Sequence, residues 1–128
     1  MSDRLQLCTL PTPLHRLDVL SQKLGTEVWI KRDDLTGFAM GGNKARKAEF
    51  LLSDAIRKGC DVIVTTGAIQ SNHARVIAVA ARRFSMDCHL FLSGQKSHTG
   101  NMLLNHLANA QIHLVATRER QSAMDEFA

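Results

Sequence analysis

Apolar residues recur along this chain with two different periods. Residues 1–13 read as an irregular lead-in, with Pro11 and Pro13 holding Thr12 in extended backbone. From His15 to Leu24 the apolar points Leu17, Leu20 and Leu24 suit a short helix that Gly25 would stop. Glu27-Val28-Trp29-Ile30-Lys31 has strand character. After a loop to Gly42, Ala48, Leu51, Leu52, Ala55 and Ile56 mark one face of an amphipathic helix that ends near Arg57, before Lys58-Gly59. Asp61 to Thr66 is a continuous apolar run, the pattern of a strand buried on both faces. A helix is expected from about Ser71, with Ala74, Ile77, Ala78 and Ala81 on one face and Val76, Val79 and Ala80 apolar as well. A strand over 87–92, a polar loop to Gly100, a helix over 101–110, a strand over 111–115 and a helix from Thr117 complete the series. Strands and helices alternate at short spacing, which predicts an α/β fold: a three-layer, mainly parallel sheet with flanking helices.

Composition narrows the function classes. At 128 residues the prior is one small domain with a real core. A helix apolar nearly all round, at 74–81, belongs inside a larger protein, and residues 121–128 run in a helical pattern without a cap, so further chain is expected. No apolar run approaches a membrane span, and the first residues lack a secretory pattern. Cys8, Cys60 and Cys88 are odd in number and far apart, with neither a disulfide framework nor a zinc spacing, so the expected compartment is the cytoplasm. The net charge of +4 is dispersed: Lys31-Arg32 is followed at once by Asp33-Asp34, no basic block is interleaved with aromatics, and tyrosine is absent. No nucleic-acid or membrane partner is expected, whereas a small anionic molecule would suit the charge.

The candidate chemistry centres on Gly41-Gly42-Asn43-Lys44-Ala45-Arg46-Lys47, which leads into the second helix. Lys44 falls in the first helical turn. It is either a solvated charge or an amine whose pKa the positive helix end lowers, so that it can attack a carbonyl carbon. The glycines leave room for a ligand at the backbone. A second cluster, Ser71-Asn72-His73, lies between a buried strand and a helix start, where ligands bind in doubly wound sheets. Ser71 or Asn72 reads equally as a helix N-cap, and the two roles are compatible. Gly100-Asn101 reads as a simple turn. The remaining histidines, His15, His89, His98, His106 and His113, show no ligand spacing, so no metal is expected. Nucleotide-binding glycine fingerprints and a nucleophile elbow are also missing.

Four ordered segments carry a family resemblance: Pro11-Thr12-Pro13-Leu14, Ile30-Lys31-Arg32-Asp33-Asp34-Leu35-Thr36, Met40 to Lys47, and Thr66-Gly67-Ala68-Ile69-Gln70-Ser71-Asn72-His73. Gly100-Asn101-Met102-Leu103-Leu104 extends it. Together they resemble the N-terminal part of the D-cysteine desulfhydrase and 1-aminocyclopropane-1-carboxylate deaminase family, enzymes of the tryptophan-synthase-β-like fold (fold type II) that use pyridoxal 5'-phosphate. The resemblance implies that Lys44 is the covalent attachment point of the cofactor, that Asn72 contacts the ring's phenolic oxygen, and that Asn43 and Lys47 help hold the cofactor. It implies Lys44, Ser71 and His73 as the catalytic set, with Ser71 and His73 beside a small amino-acid substrate.

The implied reaction is β-elimination from D-cysteine, giving pyruvate, hydrogen sulfide and ammonia. The deaminase branch usually carries Gln where this chain has His73, which favours the desulfhydrase. The alternatives are the deaminase itself or a truncated, non-catalytic remnant. The resemblance further implies a homodimer in the full-length form. It divides the sequence into residues 1–45, the start of a large cofactor-binding domain, and 46–128, most of a small α/β domain. The rest of the large domain, with its phosphate loop and substrate-side tyrosines, would lie outside this sequence.

Overall fold

The structure, a computed structural model, describes residues 4–127. The chain opens with two short strands, β1 (Leu14–Arg16) and β2 (Trp29–Lys31), joined by helix α1 (Asp18–Leu24) and paired antiparallel with Leu14 opposite Lys31. A 3-10 turn over Asp33–Thr36 leads to the long helix α2 (Asn43–Arg57). Then β3 (Val62–Ala68), α3 (Asn72–Arg83), β4 (Asp87–Ser93), α4 (Gly100–Leu107) and β5 (Gln111–Leu114) alternate. After a second 3-10 turn, α5 (Arg120–Phe127) follows. The three later strands form a parallel sheet in the order β3-β4-β5, with Thr65 opposite Leu90 and Phe91 opposite His113.

Side-chain alternation along β4 separates the layers. Leu90 and Leu92 point into the main core with Leu52, Val76, Ile77 and Met102, beneath α3 and its neighbours α2 and α4. His89 and Phe91 point to the other face, where Phe127 of α5 packs with ring centroids 4.3 Å and 5.6 Å away. Helices thus cover both faces, and the expected three-layer arrangement is present. β4 is buried from Cys88 to Ser93 because it is the central strand.

Three expectations are corrected. The helix expected from His15 starts at Asp18 instead, because His15 is tied into the strand pair opposite Ile30. The strand at 29–31 does not join the parallel sheet; its partner is β1. The face of α2 also differs from the periodic reading. Ala45, Ala48, Glu49 and Leu52 are buried, while Leu51 and Ile56 stay more than two-fifths exposed. A carboxylate occupies the core because backbone fills its coordination. Glu49 Oε1 accepts from the Leu7 and Cys8 amides at 2.9 and 2.8 Å, and Oε2 lies 3.2 Å from Arg4 Nε. That contact lays the lead-in across α2. Among the described residues no helix is long and apolar enough to cross a membrane.

Candidate functional site

Three of the sequence segments with unusual residues fold together to fix the start of α2. Asp33 Oδ1 accepts from Nε and Nη2 of Arg46 at 3.0 and 2.7 Å, and Arg46 Nη2 also donates to Thr12 Oγ1 at 2.9 Å. The Arg46 guanidinium holds the Asp33 carboxyl below the usual carboxylate range. The Asp33 carbonyl accepts from the Gly42 amide at 2.7 Å. The turn before the helix needs glycine: Gly41 has φ 75°, and a Cβ there would lie 2.0 Å from the Asp34 carbonyl oxygen. Pro-Thr-Pro, Arg-Asp-Asp and Gly-Gly-Asn-Lys-Ala-Arg are therefore one structural unit. Its outcome is that Lys44 is held in the first turn of a 15-residue helix.

The second cluster follows β3. Gly67 lets Ser71 close over the strand end, since a Cβ would sit 2.8 Å from Ser71 Cβ. Ser71 is the N-cap of α3; its Oγ accepts from the Ala74 amide at 3.2 Å. His73 turns under α3 toward the strand, with Nε2 3.2 Å from Thr65 Oγ1 and Nδ1 buried without a partner among the described residues. Burial, then the charges of Lys47 and Lys44, push the His73 pKa down. Those two lysines on α2 are thus electrostatic neighbours of His73. Neither has a hydrogen-bond or ion-pair partner among the described residues, and Lys44 is half-buried.

Asn72 belongs to a polar hub that sequence reasoning missed. Its Oδ1 accepts from Arg75 Nη1 at 3.0 Å and from Asn101 Nδ2 at 2.8 Å. Arg75 Nη1 also reaches Asn101 Oδ1 at 2.8 Å, and Nη2 reaches the Gly41 carbonyl at 3.3 Å. Asn101 is fastened in turn to Gln70, whose Oε1 accepts from the Asn101 amide at 2.8 Å. The Gly100-Asn101 turn is thus part of the hub, and Gly100 has φ 60° with no room for a Cβ beside Gln70. The one hint in the sequence was an arginine in a helix otherwise apolar nearly all round.

The hub brings the starts of α2, α3 and α4 to the carboxyl end of β3. Beside it lies an open cleft of about 460 Å³ lined by Ile30, Asp33, Met40 to Asn43, Asn72 and Arg75, among others. Asn43 and Asn72 are on its wall; Lys44, Lys47, Ser71 and His73 are not, and the last two face β3. Among the described residues no group of three or more His, Cys, Asp and Glu converges as a metal site.

The donor set fits a phosphorylated aromatic aldehyde. There is an amine without a partner at a helix start, a glycine turn where the backbone is accessible, an amide nitrogen of Asn72 with no protein acceptor among the described residues, and a buried imidazole nitrogen left open. Lys44, Asn43, Asn72 and Lys47 are the residues that would hold such a group.

Known proteins are similar to this chain over most of its length. The chain is 48% identical over 118 residues to a D-cysteine desulfhydrase of Salmonella paratyphi B, covering 87% of this chain and 36% of that protein. It is 40% identical over 132 residues to the mitochondrial bifunctional D-cysteine desulfhydrase/1-aminocyclopropane-1-carboxylate deaminase of Arabidopsis thaliana, covering 98% of this chain and 33% of that protein. A crystal structure of an ACC deaminase homologue superposes with a TM-score of 0.90 at 41% identity, over 98% of this chain and 39% of the other. O-ureido-L-serine synthase shares the fold, with a TM-score of 0.74 at 22% identity over 91% of this chain and 38% of the other. The chain spans about a third of the length of the curated relatives it matches. Residues 5–128 match the family model for pyridoxal-phosphate dependent enzymes, and the chain belongs to that family.

Proposed function

We propose that this chain carries the lysine-bearing part of the active site of a pyridoxal-phosphate-dependent lyase acting on a small amino acid, with D-cysteine as the substrate. The observation that carries the reading is that Arg75 ties the turn before α2, which carries Lys44 in its first helical turn, to Asn72 at the start of α3, next to His73. Bound here, pyridoxal phosphate supplies an electron sink for the charge left when the substrate's α-proton departs. Lys44 Nζ would hold the cofactor and would be the base that takes that proton. Its place in the first turn of α2 favours the neutral amine this requires. Asn72 Nδ2 would donate to the ring's phenolic oxygen. Asn43 and Lys47 would help hold the cofactor, Lys47 lying one turn beyond Lys44 and offering a cation to its phosphate. This reading gives the substrate side to Ser71 and His73, which lie off the wall of the open cleft and face β3, and the lowered pKa of His73 favours its neutral form. The overall change consumes water and D-cysteine and yields pyruvate, hydrogen sulfide and ammonia.

The deaminase remains a second reading because the Arabidopsis relative is named for both activities. His73, with the name of the Salmonella relative, supports the desulfhydrase.

Borohydride reduction in the presence of pyridoxal phosphate, followed by peptide mapping, tests the site. The expected result is one labelled peptide containing Lys44, lost in Lys44→Ala. Label persisting in that variant, or spread over surface lysines, would overturn the assignment, and no label at all would favour the non-catalytic remnant. Sulfide release from D-cysteine, set against ammonia release from 1-aminocyclopropane-1-carboxylate, separates the two substrates.

A further inference from the structure

Arg75 is an unusual residue to bury. It is 9% exposed, on the inner side of α3, and no carboxylate pairs with it among the described residues. Burial lowers its pKa, so the site bears a cost in holding this charge. Neutral oxygens face its two terminal nitrogens instead, Asn72 Oδ1 and Asn101 Oδ1 at Nη1 and the Gly41 carbonyl at Nη2, while Nε is buried without a partner among the described residues.

The consequence falls on the Asn72 amide. An amide oxygen has two lone pairs, and both on Asn72 are used, one by Arg75 Nη1 and one by Asn101 Nδ2. A flipped amide would turn its NH2 toward the N–H groups of Arg75 and Asn101 and give up both bonds, leaving Arg75 Nη1 with Asn101 Oδ1 alone and Asn101 Nδ2 with the Gln70 carbonyl alone. The network therefore favours the orientation with Oδ1 toward Arg75 and Asn101, and Nδ2 left as a donor without a protein acceptor among the described residues.

We infer that Arg75 is a positioning residue that locks Asn72 as a hydrogen-bond donor toward the cofactor. The inference rests on the reading that Asn72 meets the cofactor's phenolic oxygen, an electron-rich acceptor that needs a donor opposite it. The planar fork of arginine holds both amides at Nη1 and the Gly41 carbonyl at Nη2 in one fixed geometry; lysine's ammonium gathers its three donors at one point and lacks that spacing. The same fork ties the starts of α2, α3 and α4, so the donor and the Lys44 helix are referenced to one group.

Two measurements on the 128-residue chain test this. The first follows the side-chain NH2 resonances of Asn72 by NMR without cofactor, in the unsubstituted chain and in Arg75→Lys. Dispersed signals that collapse toward free-amide positions in Arg75→Lys, with the backbone spectrum retained, are expected. Signals unchanged by Arg75→Lys would overturn the inference. Arg75→Met is the second variant; with no cation to oppose a flip, it should disorder the amide further.

The second measurement titrates pyridoxal phosphate by absorbance in the unsubstituted chain, Arg75→Lys, Asn72→Ala and the double variant. Arg75→Lys is expected to weaken affinity about tenfold when Asn72 is present and not to weaken it further in Asn72→Ala. Equal losses in both backgrounds would mean a general structural role and overturn the inference. An Asn72→Ala chain with unchanged affinity, or an unsubstituted chain with none, would sink the cofactor reading instead. The amide resonances would then still decide whether Arg75 orients Asn72.

Discussion

His73 Nε2 lies 3.2 Å from Thr65 Oγ1, so the first polar turn of α3 is pinned to the middle of β3. The ring is held by one nitrogen and left open at the other, between a buried strand and the two lysines of α2. Its protonation is opposed first by burial and then by Lys47 and Lys44.

His73 is therefore expected to titrate below the ordinary histidine value of about 6.5 when followed by NMR. Replacing Lys47 or Lys44 by Met should each move it back toward that value. The folded-state pKa is the depressed one, so the stability it confers is complete above the unfolded value. That stability is lost as the pH falls through the folded value. An unchanged titration in both lysine variants would show that the charges do not reach the ring.

Gly41→Ala and Gly25→Ala should separate two kinds of glycine. Both positions have positive φ, 75° and 65°, but nothing lies within 4 Å of a Cβ at Gly25, whereas one at Gly41 would collide with the Asp34 carbonyl. Gly25→Ala should cost about 1 kcal/mol in urea denaturation, the backbone penalty alone. Gly41→Ala should cost distinctly more and also weaken cofactor labelling at Lys44, because the start of α2 must shift.

Glu49→Leu should destabilise the chain by about 2 kcal/mol or more, although it replaces a charge by an apolar side chain in the core. The Leu7 and Cys8 amides would lose their acceptor. Glu49→Gln, which keeps one oxygen for those amides, should be milder. Equal stability of the Leu variant in chemical denaturation would show that the lead-in is not fastened there.

The Asp33–Arg46 pair predicts an acid dependence. The folded-state pKa of Asp33 lies below its unfolded value, so the stability it confers is present above the unfolded value of about 3.9. It is lost as the pH falls through the lower, folded value. Asp33→Asn should lower the melting temperature near neutral pH and flatten this acid limb.

The three thiols should react in sequence. Cys60 is exposed, whereas burial pushes Cys88 up to about 12 and burial, with the neighbouring Glu49 carboxylate, pushes Cys8 up to about 11. A thiol reagent at neutral pH should modify Cys60 first and Cys88 last, because the thiolate is the reactive form. Rapid modification of Cys88 in the native state would contradict the burial of β4.

Much of this was legible in the chain. The alternation of helix and strand from Gly41 onward follows from periodicity, and the boundaries of α2 and β4 lie within a residue or two of their expected places. Ser71 serves as an N-cap, one of the two roles its position allowed. Only half of the first strand pair was legible: residues 27–31 read as a strand, whereas His15 and its neighbours fit a short helix as well as a strand and only the pairing with Ile30 decides. Glu49 and Arg75 were hidden for a related reason. Each interrupts an apolar face, and a charge in such a place gives no sign of which distant backbone or amide will satisfy it.

What the sequence determined by itself is therefore local: the period of each element, the glycines that permit the turn before Lys44, and the residue types able to do amine and amide chemistry. Only the tertiary structure decided which of these meet. Thr12, Asp33 and Arg46 become one brace, and Gly41, Asn72, Arg75 and Asn101 one hub, across up to 60 positions of sequence. The physical reason is that periodic burial depends on near neighbours along the chain. The hydrogen bonds of a buried polar group depend on whatever packing brings to it, and that is known only once the layers have closed.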